Sequence, residues 1–323
     1  MASLSRRSIM IGTLLAPLAA RAQSWPSGPI RIIVPFPPGG SVDAVARFAQ
    51  AGLGQRLGAT VLVENRTGAS GSTGSAVVAK SPPDGLTWLI VFDTHAVNPS
   101  LLPNFPFDND KDLDPVSLIA TAPYVVARHP SRPYTNLGEL IRAAKEKPHS
   151  ISYASVGSGS IGHLALELLS KEAGIDLIHV PYRGGAPALN DTVAGHVDLI
   201  IASAALLTPQ IVPGAIRPVV QMGKSRLAAL PDVPTVGESG YPGAQANSWW
   251  AMFAPAGTPK PIIARFRAAL VESLREERIA KQLGETQQMT LVLSEPEELR
   301  SFASAQARIW GAVVRENNIK ADE

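Results

Sequence analysis

The chain has 323 residues, 45% of them hydrophobic, with 29 Lys and Arg against 27 Asp and Glu and no Cys. The lack of Cys excludes disulfides, thiolate metal sites and a Cys nucleophile, and the near-neutral charge argues against binding to nucleic acid or an anionic membrane. About 300 residues of this composition suffice for one large or two ordinary domains that are held together by packing alone.

Residues 1–22 have the pattern of a secretory signal peptide. Arg6 and Arg7 precede an apolar run over Ile9–Ala20, and a small-x-small cleavage pattern ends at Ala22. The run is shorter than the roughly 20 apolar residues of a membrane-spanning helix. We therefore predict export to the periplasm with cleavage after Ala22, by general secretion or by the twin-arginine route. Cleavage also removes Arg21, which leaves 26 basic against 27 acidic residues.

From Ile30 onward, short β-branched runs alternate with amphipathic helical stretches, the pattern of an α/β protein with mainly parallel sheets. The first predicted elements are strand Ile30–Val34, helix Val42–Leu57, strand Thr60–Glu64, helix Ser72–Lys80 and strand Leu86–Phe92. Residues 98–115 are rich in Pro, Asn and Asp and are predicted to form a long loop. An apolar strand interrupted at Pro123 is predicted over Val116–Ala127.

The alternation of helices and strands restarts after this strand. The predicted elements are helix Leu137–Glu146, strand Ile151–Ser155, helix Ile161–Ala173, strand Asp176–Val180, helix Ala186–Ala194, and strands Val197–Ile201 and Ile216–Gln221. A loop rich in Pro and Gly over 223–248 leads to strand Trp249–Ala254. The last predicted elements are helices Pro259–Leu274, Glu276–Leu283 and Pro296–Arg315, with strand Thr290–Leu293 between them.

The two long loops enclose one βα block, which indicates two lobes, the second inserted into the first. We predict lobe 1 over 23–122 and 250–323 and lobe 2 over 123–249, after the signal peptide at 1–22. Two α/β lobes that are joined by two strands form a hinge with a cleft, and clefts between domains are preferred sites for small ligands.

Gly-rich segments stand where predicted strands meet predicted helices. Residues 35–43 contain Gly39, Gly40 and the N-cap candidate Ser41. Their backbone N–H groups and the positive end of the following helix favour an anion. Residues 68–74 form either a third donor loop or a flexible turn.

A further Gly-rich segment, residues 155–163, has Gly157, Gly159 and Gly162 at the spacing of a dinucleotide fingerprint. A Rossmann site also needs an acidic residue after the next strand, and here that strand leads into Pro181-Tyr182-Arg183. We therefore expect no nucleotide cofactor, and the segment is interpreted as a second anion-binding loop.

The enzyme motifs that would indicate a hydrolase or a zinc protease are absent from this sequence. It contains no Gly-x-Ser-x-Gly and no His-Glu-x-x-His, and the six His residues lack metal-ligand spacing. Ser158 or Ser160 with His163 leaves a periplasmic serine hydrolase as an alternative, although nothing supplies the orienting acid and oxyanion hole. We therefore predict a binding protein without catalytic residues, metal or cofactor.

A set of short motifs follows in order along the chain. They are Ile32-Ile33-Val34-Pro35-Phe36, Val63-Glu64-Asn65-Arg66, Pro83-Asp84-Gly85, Thr94-His95, His179-Val180-Pro181-Tyr182-Arg183-Gly184, Leu230-Pro231-Asp232-Val233-Pro234-Thr235 and Ala254-Pro255-Ala256-Gly257-Thr258-Pro259. With them the chain resembles the substrate-binding receptors of tripartite tricarboxylate transporters, also called Bug proteins, over essentially its whole mature length.

The resemblance implies a two-lobed periplasmic binding protein of the type II, or Venus flytrap, architecture. Such a receptor captures a small carboxylate in the interlobe cleft and delivers it to a membrane transporter; we expect a monomer. A receptor that signals to a sensor partner is the alternative. Carried onto this chain, the ligand-binding residues are Phe36, Pro38, Gly39, Gly40, Ser41, Asp43, Thr94, His95, Ser155, Gly157, Ser158, Gly159, His163, Tyr182 and Arg183.

Several of these residues keep an alternative role. Asp43 either contacts the ligand or stabilises its own helix, and His163 either contacts the ligand or orients its loop. Arg183 either binds a second carboxylate or is a surface charge. The family usually has Ala where this chain has Pro37 and often Lys where it has Arg183. Pro37 removes a donor N–H and stiffens the first loop.

Overall fold

A computed structural model describes residues 25–320, so the predicted signal peptide lies outside the described residues. The strands of the described residues form one continuous sheet. The strands are β1 (Ile30–Val34), β2 (Val61–Asn65), β3 (Thr87–Phe92), β4 (Leu113–Arg128), β5 (Ser152–Ser155), β6 (Ile178–Pro181), β7 (Leu199–Ser203), β8 (Arg217–Gln221), β9 (Asn247–Pro255) and β10 (Thr290–Leu291). The main path runs β2-β1-β3-β9-β4-β7-β5-β6.

Helices connect and cover these strands. They are α1 (Ser41–Leu57), α2 (Ser72–Ala79), α3 (Thr94–Leu101), α4 (Leu137–Glu146), α5 (Ile161–Ala173), α6 (Gly185–Val193), α7 (Ala204–Ile211), α8 (Lys260–Leu274), α9 (Glu277–Lys281) and α10 (Pro296–Glu316). A 3₁₀ turn over Ala69–Gly71 precedes α2, and a π turn over Gln282–Thr286 follows α9.

Each lobe has a parallel core, which confirms the predicted α/β class. In lobe 1, β1 pairs in parallel with β2 and β3. In lobe 2, β5 pairs in parallel with β6 and β7. The long strands β9 and β4 run antiparallel to these cores. Parallel neighbours place the carboxyl ends of their strands at one edge, where the loops to the next helices lie.

Strand β4 belongs to both lobes. Its first part, through Pro123, pairs with β9, and its second part, from Tyr124, pairs with β7 and β8. The change of partner falls beside the predicted lobe boundary at 122/123. The boundaries themselves stay a prediction.

The core is continuous along the sheet, and large aromatic rings occupy its centre. In lobe 1, the indole of Trp88 stacks on Phe266 of α8, with ring centroids 3.6 Å apart. Trp249 and Trp250 of β9 are almost fully buried. Helix α1 packs against α8, and α10 packs against α3. Among the residues described, no helix combines the length and apolar character that crossing a bilayer requires.

The predicted loop over 98–115 is wrong at both ends. Helix α3 continues to Leu101 and contains Pro99, and β4 begins at Leu113. Helix α7, which contains Pro209, was not predicted at all. Most residues of both short helices are buried, so they lack the one-sided apolar stripe that marks a helix in a sequence.

Candidate functional site

A cavity of about 360 Å³ lies between the lobes, and we call it the interlobe cavity. It is lined by Pro35, Phe36, Gly68, Ala69, Ser70, Gly71, Leu102, Val156, Gly157, Ser158, Pro181, Tyr182 and Arg183. The walls come from the loops after β1, β2, β5 and β6, at the carboxyl ends of parallel strands. Ligand sites of open α/β sheets lie at this edge.

The lobes touch each other across this cavity. The hydroxyl of Ser70 in lobe 1 donates to the carbonyl of Ser158 in lobe 2 at 2.9 Å. Pro37 packs against Gly184, where a Cβ would lie 2.7 Å from the proline Cδ. Gly184 also has φ of 122°, which side chains rarely adopt. These contacts describe a closed arrangement of the lobes.

Ser70 itself holds an unusual backbone conformation, with φ of 50°. For a residue with a side chain, this left-handed conformation is uncommon. The side chains of Thr94 and Asn98 donate to the Ser70 carbonyl at 2.8 and 3.1 Å, which holds it in place. Residues 68–74 therefore form a fixed turn that reaches the opposite lobe.

A second, smaller cavity of about 20 Å³ adjoins the first, and we call it the anion pocket. It is lined by Phe36, Gly40, Ser41, Val42, Phe92, Val156, Gly185, Ser203 and Leu206. These residues include the N-terminal ends of α1, α6 and α7. The N-cap residues of α1 and α6 are Gly40 and Gly184, which have no side chain, and Ser203 at the N-cap of α7 makes no capping hydrogen bond. Helix N-termini carry unpaired N–H groups and a partial positive charge, so their convergence favours an anion.

The anion pocket has the volume that one water molecule needs. Phe36 and Val156 line both cavities and stand between them. A carboxylate that enters the pocket must therefore displace these side chains or part the lobes slightly.

Asp43 braces the first loop. Its Oδ2 accepts hydrogen bonds from the Gly39 N–H at 3.0 Å and from Arg47 at 2.9 Å, and its Oδ1 accepts from Asn65 at 2.9 Å. Burial alone would raise the pKa of this carboxyl, but the hydrogen bonds from Arg47, Gly39 and Asn65 hold the pKa below its usual value. The geometry thus gives Asp43 a loop-bracing role, whereas the sequence analysis had offered a ligand contact or stabilisation of its own helix.

His163 braces the second loop in the same way. Its Nδ1 lies 3.1 Å from the Gly159 N–H, which donates to it. Its ring stacks on His179 with centroids 3.9 Å apart. Burial, and secondarily the neighbouring His179, lower the pKa of His163 to about 3, so the imidazole is neutral at physiological pH. This neutral state is the one that accepts a hydrogen bond at Nδ1.

The second loop also uses its serine hydroxyls internally. Ser155 lies 2.7 Å from His179 Nε2 and accepts from the Gly157 N–H at 3.3 Å. Ser160 caps α5 by accepting from the His163 N–H at 3.3 Å. Because Ser160 is fully buried and caps the helix, the structure does not support it as the nucleophile of a hydrolase.

A buried acid that the sequence analysis missed lies at the hinge. Asp93 follows β3, accepts from the Tyr124 hydroxyl of β4 at 2.5 Å, and accepts from the Ile161 N–H of lobe 2 at 3.4 Å. Burial raises the pKa of Asp93 to about 8. An acidic residue directly after a fully buried strand is the signal that could have revealed it.

The structure brings some of the predicted site residues together. Phe36, Gly157, Ser158, Tyr182 and Arg183 line the interlobe cavity, and Phe36, Gly40 and Ser41 line the anion pocket. Pro38, Gly39, Asp43, Thr94, Ser155, Gly159 and His163 line neither cavity. His95 lies on another face of α3 and lines a separate cavity in lobe 1.

Other lining residues were missed, among them Ser70, Leu102, Val156, Gly185, Ser203 and Leu206. Of these, Ser203 had a readable signal, because a Ser that follows a buried strand is a candidate N-cap. The others are apolar residues or lie in turns whose position depends on the fold.

Arg183 is the only charged residue among the described residues that line the interlobe cavity. Its side chain is exposed, and none of the ion pairs found among residues 25–320 involves it. The neighbouring Tyr182 donates its hydroxyl to Asp191 at 2.7 Å. Within the described residues, no three His, Asp or Glu side chains are grouped as a metal site would require.

Comparison with known proteins agrees with this geometry. The family described as tripartite tricarboxylate transporter family receptor matches residues 45–319. BugT of Bordetella pertussis is 34% identical over 314 residues, covering 97% of this chain and 96% of BugT. The solved structure of R. palustris Rpa4515 with adipate is 31% identical with a TM-score of 0.87, covering 92% of this chain and 99% of that one. MatC from Rhodopseudomonas palustris with bound malate is 30% identical with a TM-score of 0.83, covering 90% and 100%.

Proposed function

Since the chain belongs to the receptor family of tripartite tricarboxylate transporters, we propose that it captures a small carboxylate between its lobes and delivers it to the membrane subunits of such a transporter. The observation that carries the proposal is the anion pocket, where the N-termini of α1, α6 and α7 meet without side-chain caps. Adipate and malate, the ligands of the two similar structures, are both dicarboxylates and support this ligand class.

Backbone donors suffice for useful affinity. Each hydrogen bond to a carboxylate contributes about 1.5–3 kcal/mol net, and a helix N-terminus adds about 0.3–2 kcal/mol. Four or five such bonds reach the roughly 8 kcal/mol of micromolar binding after part of the ordering cost of association. The proposed capture of the ligand therefore requires no metal or cofactor.

The ligand lies with one carboxylate in the anion pocket and its body in the interlobe cavity. The apolar side chains of Phe36, Leu102 and Val156 flank the body, and Arg183 receives a second carboxylate at the mouth. The interlobe cavity, at about 360 Å³, is near the lower end of the roughly 300–1,000 Å³ of small-molecule pockets. A ligand of a few carbon atoms fits this space.

The receptor acts in the periplasm as a monomer after cleavage behind Ala22. Lobe 1 comprises residues 23–122 and 250–323, and lobe 2 comprises residues 123–249. The change of β4 pairing between Pro123 and Tyr124 supports the first crossing between the lobes. The lobes close on the ligand because contacts from both sides are made only in the closed state.

The test is calorimetric titration of adipate, malate and a panel of monocarboxylates into the mature chain after unfolding and refolding to remove co-purified ligand. Gly40→Leu places a side chain in the anion pocket and should abolish binding. A Cβ at Gly40 would approach only the Pro37 carbonyl at 3.6 Å, so the first carbon of the new side chain has room, and circular dichroism verifies the fold of the variant.

Gly243→Leu is the matched control, because its Cβ would meet only Glu172 at 3.5 Å and the position is far from the cleft. This variant should bind as the unmodified chain does. Equal affinity in Gly40→Leu and the unmodified chain would refute the site, and no binding of any carboxylate by the unmodified chain would refute the function.

A further inference from the structure

A cavity of about 920 Å³ lies in lobe 1, outside the interlobe cleft, and we call it the α3–α10 cavity. Its walls are α3, the segment over 105–113, the start of β4, Phe253 of β9 and one face of α10. It is larger than the interlobe cavity, and no step of carboxylate capture uses it.

His95 places an unpartnered polar group in the wall of this cavity. The side chain is 5% exposed, and its ring packs on Phe253 with centroids 4.8 Å apart. Among the described residues, no hydrogen bond uses either ring nitrogen of His95. Burial lowers the pKa of His95 to about 4, so the ring is neutral and offers one donor and one acceptor. A group that enters the cavity can therefore form the hydrogen bonds that the described residues do not supply to this ring.

Asn109 adds a second unsatisfied atom to the same wall. Its side-chain N–H donates to the His95 carbonyl at 2.7 Å, which fixes the amide. Its Oδ1 is buried and has no hydrogen-bond partner. A hydroxyl group of a ligand can donate to this oxygen or bond to the neutral imidazole.

Aromatic rings provide the apolar part of the cavity. The ring centroids of Phe105 and Phe107 lie 4.4 Å apart, and both rings line the cavity together with Phe253. Aromatic pairs of this kind bind a further ring through offset or edge contacts. The wall is therefore suited to a flat, unsaturated body.

The face of α10 provides positive charge. Arg300 and Arg308 line the cavity two turns apart, with the small residue Ser304 between them. Arg308 takes part in no ion pair among the described residues, and Arg300 has only the exposed Glu297 at 3.4 Å. The lining also contains two acidic residues, Asp110 and Asp108, and the carboxylate of Asp108 is paired with Lys111 at 2.9 Å. Guanidinium groups recognise carboxylates through paired hydrogen bonds.

We infer that the α3–α10 cavity is a second binding site, separate from the cleft, for a hydroxylated aromatic carboxylate. The ring lies against Phe105, Phe107 and Phe253, and the carboxylate meets Arg300 and Arg308. The hydroxyl bonds to His95 and Asn109.

Helix α3 connects this site to the cleft. His95 faces the second site, whereas Thr94 and Asn98, on another face of the same helix, hold the Ser70 carbonyl at the interlobe wall. A ligand that packs against α3 therefore changes the surroundings of the turn that bridges the lobes.

The test uses 4-hydroxybenzoate as the probe and the mature chain carrying Gly40→Leu, in which the anion pocket is filled. Calorimetry should find one equivalent bound. Arg300→Ala with Arg308→Ala in this background should weaken binding about tenfold or more, because charge-assisted bonds are lost. Arg315→Ala, on the same helix but away from the cavity, should leave the affinity unchanged. His95→Phe should remove the preference for 4-hydroxybenzoate over benzoate.

Ser304→Trp is a second, independent variant that fills the α3–α10 cavity and should abolish binding. Circular dichroism verifies its fold. The inference is overturned if the Gly40→Leu chain binds no 4-hydroxybenzoate, or if binding persists unchanged in the double arginine variant and in Ser304→Trp. Either failure leaves the proposal of carboxylate capture in the cleft untouched, because the anion pocket is blocked in all of these measurements.

Discussion

The loop between β1 and α1 and the loop between β5 and α5 share one hydrogen-bonding feature and differ in how the following helix is capped. In both, a side chain four residues after a glycine accepts the glycine N–H, at 3.0 Å for Asp43 with Gly39 and at 3.1 Å for His163 with Gly159. Helix α1 lacks a side-chain cap, whereas α5 is capped by Ser160.

This difference decides what each loop offers a ligand. The first loop keeps the N–H groups at the start of α1 open toward the anion pocket. The second loop uses its N–H groups internally and forms a wall, so the open donors of lobe 2 come from α6 and α7. Two Gly-rich segments of similar composition thus have different roles, and five substitutions or conditions test the contrast and the hinge between the loops.

The largest effect is expected from removing the charged brace. Asp43→Ala leaves Gly39, Arg47 and Asn65 without their acceptor and should lower the free energy of unfolding by about 3 kcal/mol. Asp43→Asn keeps one oxygen acceptor and should lose about half as much. Urea unfolding measures both values, and equal stability of the three chains would disprove the bracing role.

Acidification should weaken the second loop before the first. The pKa of His163 is about 3 in the folded chain and near the usual 6.5 when unfolded, so its contribution is complete above pH 6.5 and is lost as the pH falls toward 3. From pH 7.5 to pH 5 the loss is about 2 kcal/mol. His163→Asn, whose Oδ1 replaces Nδ1, should flatten this dependence in urea unfolding at both pH values.

The contribution of Asp93 to stability, at the hinge, should depend on pH in the opposite direction and fall as the pH rises. Its folded pKa of about 8 lies above the usual value, so its contribution is complete below about pH 4 and is lost as the pH rises through 8. Asp93→Asn should remove the decline in stability between pH 7 and 9. A decline of the same size in the variant would contradict the assignment.

Replacing one glycine in each loop should lower the free energy of unfolding by different amounts, and this difference is smaller than the effects above. At Gly159, where φ is 78°, a Cβ would lie 2.4 Å from a Leu101 methyl, so Gly159→Ala should cost about 1–2 kcal/mol. Gly40→Ala should cost less than about 0.5 kcal/mol, because its φ is −79° and its Cβ has room. Thermal unfolding compares the two, and loss of binding without loss of stability is expected only at Gly40.

The smallest effect concerns the helix caps. Ser160→Ala removes the cap of α5 and should cost about 1 kcal/mol, whereas Ser41→Ala at the start of the uncapped α1 should cost almost nothing. Calorimetric unfolding resolves this difference. A similar loss in both variants would mean that the two helix starts are equivalent after all.

Local sequence signals predicted many elements correctly. Strand β1 and helices α4 and α5 have the predicted bounds, since β-branched runs, N-cap residues such as Ser160 and the C-terminal Gly174 are short-range features. Helices α3 and α7 escaped prediction because most of their residues are buried and each contains Pro, at 99 and 209.

The candidate site was predictable only in part. Motifs and Gly-rich spacing placed Phe36, Gly40, Gly157 and Arg183 at the cavities that the structure contains. The family resemblance also assigned His95 to the ligand site, through the motif Thr94-His95. In a helix, adjacent residues point about 100° apart, so Thr94 reaches the Ser70 carbonyl while His95 lines the α3–α10 cavity.

The sequence by itself determined the α/β class, the Gly-rich loops that connect strands to helices and the near-neutral charge, because these depend on composition and on contacts within a few residues. Only the tertiary structure decided which N–H groups remain open. That outcome depends on acceptors brought from elsewhere in the chain, such as Asp93 reaching the Ile161 N–H across the hinge. Hydrogen-bond partners 68 residues apart leave no periodic trace in a sequence.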